Sequence, residues 1–241
     1  MRLDAYLVEK GLFVSRARAQ AAVKAGLVAI DGALVARPSA RVPAGAVVDV
    51  KADVHDYVSR GGVKLAFALD RFGIDPMSRV CLDLGASTGG FTEVLLRRGA
   101  AKVYAVDVGT AQLHPSVAAD SRVISLEQTH ANTLSRALIP EPIDLLVCDV
   151  SFISLRKALG SVLALCAPGA ELVALVKPQF ELGPDRVGKG GVVKADPKTI
   201  GDMLAAVGVW LAERGWKSQG AIDSPIAGGD GNREYLIAAT R

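Results

Sequence analysis

Apolar and polar positions follow two different rhythms along this chain. Leu3, Tyr6 and Leu7 share one helical face, and Gly11 closes that helix. Ser15 is placed to cap a second helix that runs to Lys24. Leu27-Val28-Ala29-Ile30 then reads as a short strand, Asp31-Gly32 as a hairpin turn and Ala46 to Val50 as a closing strand. Pro38-Ser39 and Pro43-Ala44-Gly45 mark further turns. Farther on, short apolar runs alternate with longer amphipathic segments. The pattern predicts strands near 80–84, 102–107, 122–126, 143–149, 171–177 and 234–239, and helices near 62–72, 90–98, 154–166 and 196–214. Such alternation predicts an α/β domain with a mainly parallel sheet and helices on both faces. The polar stretch Lys51 to Tyr57 separates the two rhythms as a linker, giving a small α+β domain with linker over 1–57 and a larger domain over 58–241.

The sharpest local feature is Asp83 to Thr92, D-L-G-A-S-T-G-G-F-T, between a predicted strand and a predicted helix. A strand, a glycine-rich turn and a helix start suit a nucleotide-like cofactor, with Gly85 and Gly89 letting the backbone approach the ligand. The turn departs from the dinucleotide fingerprint, because Ser87 takes the second glycine position. Asp83 precedes the turn, and Asp107 ends the next apolar run, where a carboxylate can accept both hydroxyls of a ribose. An acidic, phosphate-poor site suits S-adenosylmethionine, a cation without a pyrophosphate. A purely structural tight turn is the competing reading.

In a parallel sheet, ligands bind at the carboxyl ends of the strands. Asp83, Asp107, Asp149 and Lys177 all fall at such ends. A lysine ending an apolar strand is costly to bury unless its charge is paired or lost. A nearby carboxylate and a second lysine would supply both effects and make a neutral amine, a general base. An ion-pair network that only closes the crevice is the alternative.

Composition narrows the classes. Half of the 241 residues are apolar, so a sizeable core is expected. No apolar run reaches membrane-span length; the stretch from Ser161 to Val176 is broken by Pro168-Gly169 and Glu171. The N-terminus carries no signal-peptide pattern, and Cys81, Cys148 and Cys166 lack metal-ligand spacing, so a cytoplasmic protein with buried free thiols is expected. The net charge of +3 is uneven: residues 1–60 hold nine Lys or Arg against six Asp or Glu, and the remainder holds nineteen of each. Arg16, Arg18 and Lys24 fall on or near the second helix, where they could track a phosphate backbone; a solvated helix face explains them equally well.

The first segment resembles the small RNA-binding domain named after ribosomal protein S-four. The resemblance rests on R-L-D-x-x-L from Arg2, S-R-A-R-A from Ser15, A-G-L-V-x-I-D-G from Ala25 and the P-S…V-x-x-G frame from Pro38. It implies RNA binding by the two helices and the first strand, with Arg2, Arg16, Arg18 and Lys24 as candidate contacts. The whole chain resembles the TlyA family of ribosomal RNA 2′-O-methyltransferases through Y-V-S-R-G-G-x-K-L, D-L-G-A-S-T-G-G-F-T, C-D-V-S-F-I-S and V-K-P-Q-F-E. More broadly it is similar to the FtsJ-like methyltransferases, whose Lys-Asp-Lys-Glu tetrad falls on Lys64, Asp149, Lys177 and Glu234. The resemblance implies a Rossmann-like domain with a mainly parallel seven-stranded sheet and S-adenosylmethionine as cofactor. Lys177 is then the base for the ribose hydroxyl. Asp149 orients it, Lys64 and Glu234 tune charge, and no metal is needed. Phe91 and Glu127 join Asp83, Gly85, Ser87, Gly89 and Asp107 as cofactor candidates, and Arg60 joins the RNA contacts.

Two features depart from the family pattern. Glu127-Gln128-Thr129-His130-Ala131-Asn132 stands where E-x-T-N-x-R is frequent, so contacts near His130 and Asn132 are expected to differ. The chain also ends seven residues after Glu234, which points to a cytidine of large-subunit rRNA, with small-subunit rRNA left open. Gly183 to Val193 is a glycine-rich loop that either closes over RNA or is an ordinary surface loop. Trp210 and Trp216 are expected in the core. Beside a methyltransferase, three readings compete: a nicotinamide oxidoreductase on the same fold, a non-enzymatic ribosome assembly factor, and a haemolysin with an indirect membrane effect.

Overall fold

The computed structural model describes every residue except Gly11, Val14, Ser15, Ala44, 51–56, 189–190 and 229–230, and omits the side chains of Arg18 and Pro184. The proposed Ser15 cap and nearly all of the linker therefore lie outside the described residues. The chain divides into two compact units, Met1–Asp56 and Tyr57–Arg241.

In the first unit, helices α1 (Leu3–Glu9) and α2 (Arg16–Lys24) accompany strands β1 (Val28–Ile30), β2 (Ala33–Leu34) and β3 (Val48–Val50) in the order β2-β1-β3. Asp31 and Gly32 both adopt left-handed φ, 49° and 79°, as the tight turn between β1 and β2 requires. Leu3, Leu7, Ala19, Val23 and Val28 form the small core. Asp4 is buried on α1 and accepts hydrogen bonds from three side chains: Arg2 donates twice, at 3.1 and 3.0 Å, Arg16 at 3.1 Å and Gln20 at 2.8 Å. These partners hold its carboxyl well below the ordinary carboxylate range, the Arg2 hydrogen bond most of all.

In the second unit, α3 (Gly61–Phe72) precedes β4 (Val80–Leu84), α4 (Gly90–Arg97), β5 (Lys102–Val106), α5 (Pro115–Ala118), β6 (Val123–Leu126) and β7 (Ile143–Cys148). There follow α6 (Leu155–Leu159), β8 (Cys166–Val176), α7 (Pro178–Glu181), α8 (Pro197–Ala212), β9 (Lys217–Asp223) and β10 (Tyr235–Thr240). The seven strands form one sheet in the order β6-β5-β4-β7-β8-β10-β9. All neighbours up to β8 run parallel, and β10 is antiparallel to both β8 and β9. This is the mainly parallel α/β sheet expected from the alternation. Two apolar clusters cover its two faces. The strand order reverses between β4 and β7, the topological switch point at which such sheets open a ligand crevice.

The short helices α5 and α7 were not expected, and two further elements differ from expectation. The helix expected over 154–166 stops at Leu159, a 3-10 turn covers Val162–Leu165, and Cys166 already pairs with Ile143 as strand. The run from Val162 to Cys166 is apolar at nearly every position, so its periodicity does not separate helix from strand. Strand β9 carried no apolar alternation: it is the outer strand of the sheet, and its residues are exposed or half-buried. Trp216 is buried in the core, while Trp210 stays at its margin under the Arg214 guanidinium, 4.2 Å from the ring centroid.

Candidate active site

The polar residues at the strand ends face one edge of the sheet. Asp83 sits near the end of β4, Asp107 follows β5, Asp149 follows β7 and Lys177 follows β8. Glu234 immediately precedes β10, and because that strand is antiparallel its start lies at the same edge. A cavity of ≈ 400 Å³ opens there, and Arg60, Lys64, Gly85, Ser87, Phe91, Asp149, Ser151 and Lys177 contribute to its wall.

Two lysine–carboxylate pairs line this region. Lys64 Nζ donates to Glu234 Oε2 at 2.5 Å, and both side chains are buried. Lys177 Nζ lies 2.6 Å from Asp149 Oδ1, off the direction that a hydrogen bond needs, so the contact is an ion pair. The same nitrogen donates a hydrogen bond to Ser151 Oγ at 2.8 Å. Lys177 therefore has the expected carboxylate, but the second lysine is engaged by its own.

The acidic end of the cleft is electrostatically strained. Asp83 is fully buried; Thr92 Oγ1 donates to its Oδ2 at 2.6 Å, and its Oδ1 has no partner among the described residues. Burial pushes its carboxyl up to about 7, and the charges of Asp149 and Asp107 push the same way. Three carboxylates around one strand-end crevice favour a cation there and oppose a pyrophosphate.

Asp107 accepts backbone N–H groups from Ser87 at 2.8 Å and Gly109 at 2.7 Å. It fixes the glycine-rich turn and keeps further lone pairs for ligand hydroxyls. Glu127 accepts from the amides of Ala111 and Gln112 at 2.6 and 3.1 Å, holding the loop after β5. Phe91 is buried in the first turn of α4, against the α3–α4 core, and also lines the cavity.

The glycines also serve the packing of the protein itself. A Cβ on Gly85 would lie 2.6 Å from the Asp149 carbonyl oxygen, and its φ is 86°. The neighbour that excludes a side chain is the protein's own backbone. On Gly89, φ 90°, a Cβ would press on Leu113 and Val117 at 3.0 Å. On Gly90 it would lie 2.1 Å from Ser59 Oγ. The turn's glycines therefore let segments 59–62 and 149–150 close around it.

Sequence reasoning missed three details. Ser151 is the hydrogen-bond partner of Lys177. Phe152 is 92% exposed at φ 67°, with its ring centroid 5.5 Å from that of Phe180. Glu93 on α4 accepts the Val58 amide at 2.5 Å, tying down the segment that leads to Arg60 and Lys64. Only Phe152 had a signal, an aromatic residue inside a polar motif. His130 and Asn132 are exposed around a short 3-10 turn. In the Gly183–Val193 loop, Asn232 accepts from the Val193 amide at 2.9 Å and donates to the Gly191 carbonyl at 2.8 Å. Arg2, Arg16 and Lys24 are exposed in the first unit and Arg60 in the second, while the Arg18 side chain lies outside the described residues.

Comparison with known proteins adds independent findings. Residues 57–241 match the family model described as FtsJ-like methyltransferase, and residues 1–48 match the S4 domain. The chain is 46% identical over 237 residues to the 16S/23S rRNA (cytidine-2′-O)-methyltransferase TlyA of Mycobacterium tuberculosis, covering 98% of this chain and 88% of that one. It is 39% identical over 181 residues to the 23S rRNA (cytidine-2′-O)-methyltransferase TlyA of Campylobacter jejuni, covering 75% and 69%. A solved structure from Streptococcus thermophilus, described as a hemolysin, superposes with a TM-score of 0.79 at 37% identity, over 100% of this chain and 88% of that one.

Proposed function

The chain belongs to the FtsJ-like methyltransferase family, in its TlyA group, and from that premise we propose that it methylates the ribose 2′-hydroxyl of a cytidine in ribosomal RNA with S-adenosylmethionine as donor. The observation that carries this reading is the convergence of the Lys64–Glu234 and Lys177–Asp149 pairs on one strand edge, where Asp83 and Asp107 add two further carboxylates. The acidic end fits a sulfonium and ammonium ligand and disfavours a nicotinamide dinucleotide. Asp107, the turn from Gly85 to Gly89, Asp83, Phe91 and Glu127 would hold the cofactor. When bound, S-adenosylmethionine supplies an electrophilic methyl group.

The protein's own task is to position and deprotonate a ribose hydroxyl. Lys177 takes the 2′-hydroxyl proton on Nζ, and Asp149 balances the positive charge that forms there. Lys64 and Glu234, paired at the same strand edge, neutralise each other and keep a second ammonium from facing Lys177. In the S4 domain, buried Asp4 fixes the Arg2 and Arg16 guanidiniums while leaving both half-exposed for phosphates. Large-subunit rRNA is common to the names of both relatives and is the substrate we assign first; ribosomes place the enzyme in the cytoplasm. Among the described residues no helix is long and apolar enough to cross a membrane.

The test is single-turnover methyl transfer. Lys177→Ala should leave cofactor and RNA binding nearly intact and slow transfer by about 100-fold or more. Lys177→Arg should not rescue it, because a guanidinium stays protonated and cannot accept the ribose proton. Near-native rate in Lys177→Arg would show that the residue supplies only positive charge. Mapping 2′-O-methylation on rRNA from cells with and without the protein identifies the cytidine and the subunit.

A further inference from the structure

Ser151 is absent from the Lys-Asp-Lys-Glu tetrad, yet it makes the directional contact to the proposed base. Among the described residues, Ser151 Oγ is the hydrogen-bond acceptor of Lys177 Nζ, at 2.8 Å. Asp149 Oδ1 is nearer, at 2.6 Å, but lies off the hydrogen-bond direction. The carboxylate thus sets the charge at Nζ, and an ion pair of that kind constrains rotation of the amine weakly. A hydrogen bond is angular and does constrain it.

The valence of nitrogen makes this matter. Beyond Cε, Nζ has three tetrahedral directions. In the neutral amine two carry hydrogen and one carries the lone pair that must meet the ribose hydroxyl. Ser151 claims one direction. A remaining direction serves the lone pair that takes the proton at the cleft that Ser151 and Lys177 both line.

The local backbone supports a dedicated placement. Phe152, directly after Ser151, is held at φ 67°, a left-handed conformation that an aromatic residue adopts only under constraint. The far end of the same loop is anchored where the Leu155 amide donates to Glu181 Oε1 at 2.5 Å, on the helix that begins right after Lys177. The loop presenting Ser151 and the residue it aims are therefore fastened to one another.

We propose that Ser151 is a positioning residue for methyl transfer: its hydroxyl accepts a hydrogen bond from Lys177 and so directs the lone pair of the amine at the ribose 2′-hydroxyl. This rests on the reading of Lys177 as the base. In the step itself the O2′–H bond breaks, its proton forms an N–H bond at Nζ, and O2′ takes the methyl group as the donor sulfonium becomes a thioether.

The experiment compares Ser151→Ala and Ser151→Thr with the native full-length enzyme, and runs Lys177→Ala alongside. Ser151→Ala should lower the single-turnover rate about 10-fold, the scale of one lost orienting hydrogen bond, with KM for RNA and affinity for S-adenosylmethionine unchanged. Ser151→Thr keeps the hydroxyl and should recover to within about 3-fold of native. In the ligand-free protein, the Lys177 ammonium signal in lysine-selective 15N NMR should be present in native and Ser151→Thr protein and broadened in Ser151→Ala. A native rate and an unchanged lysine signal in Ser151→Ala would overturn the proposal. So would a Ser151→Thr variant as slow as Ser151→Ala. If Lys177→Ala itself retains activity, the base assignment fails instead, and the two failures are thereby told apart.

Discussion

Replacing Asp83 by asparagine tests the electrostatics of the cleft most directly. The substitution removes one charge, preserves the side-chain shape and keeps an oxygen for the Thr92 hydroxyl, which lies 2.6 Å away. Asp83 is raised from its ordinary 3.8 to about 7 by burial, with Asp149 and Asp107 adding to the effect. A carboxyl whose folded-state pKa exceeds its unfolded value binds more protons folded than unfolded. Stability from this group is therefore present below about pH 4 and is lost as pH rises towards about 7. At about 1.4 kcal/mol per pKa unit, the loss between about pH 5 and pH 8 is on the order of 2–3 kcal/mol. The neutral asparagine lacks this loss; its amide takes the Oδ1 position, which has no hydrogen-bond partner among the described residues, at a cost independent of pH. The quantity to measure is thus the pH dependence of the difference between the two proteins. Both tryptophans, Trp210 and Trp216, lie in the unit Tyr57–Arg241, so their fluorescence follows that unit alone. Thermal melts should show Asp83→Asn gaining roughly 4–12 °C on the native protein between about pH 5 and pH 8. A cationic cofactor should bind the native protein more tightly as pH rises, and this trend should flatten in the variant. Parallel melting curves across that range would refute the idea that an ionised Asp83, with its Oδ1 unsatisfied among the described residues, strains the cleft.

Other perturbations probe other parts of the site. Asp107→Ala removes the acceptor for the Ser87 and Gly109 amides together with the proposed ribose contact, and calorimetry should show S-adenosylmethionine binding weakened by about 10- to 100-fold. Gly85→Ala places a Cβ 2.6 Å from the Asp149 carbonyl at a φ of 86°, and urea denaturation should register a loss of about 2 kcal/mol or more. Deleting residues 1–57 should leave a cofactor-binding core that methylates rRNA poorly; full-length turnover by the truncated protein would remove the RNA-docking role of the S4 domain.

What the sequence made legible was local. Strand ends, helix starts and the Asp31-Gly32 turn are set by residues a few positions apart, and those expectations match the structure closely. The failures are equally physical. Residues 162–166 are apolar on every side, so neither period stands out, and β9 buries too little to impose an apolar face. The resemblance located all four tetrad residues, but pairing is a tertiary property: Lys64 and Glu234 are 170 positions apart when they meet. Ser151 had no signal of its own, because a serine two residues after an aspartate is ordinary until β8 delivers Lys177 beside it, 26 positions on.

The glycines show how one motif can carry more than one constraint. D-L-G-A-S-T-G-G-F-T suggests a backbone bared for a ligand. In the fold, Gly85 admits the Asp149 backbone and Gly90 admits Ser59. Those two contacts bring the segment carrying Asp149 and the segment leading to Lys64 up against the same turn. The motif proposed to bind the cofactor is therefore also the hub on which both lysine–carboxylate walls are assembled. A side chain added there would disturb the spacing of the base before it touched any ligand. Gly85→Ala should for that reason lower the rate of methyl transfer by a larger factor than it weakens cofactor binding; equal losses in both would mean that the turn serves the cofactor alone.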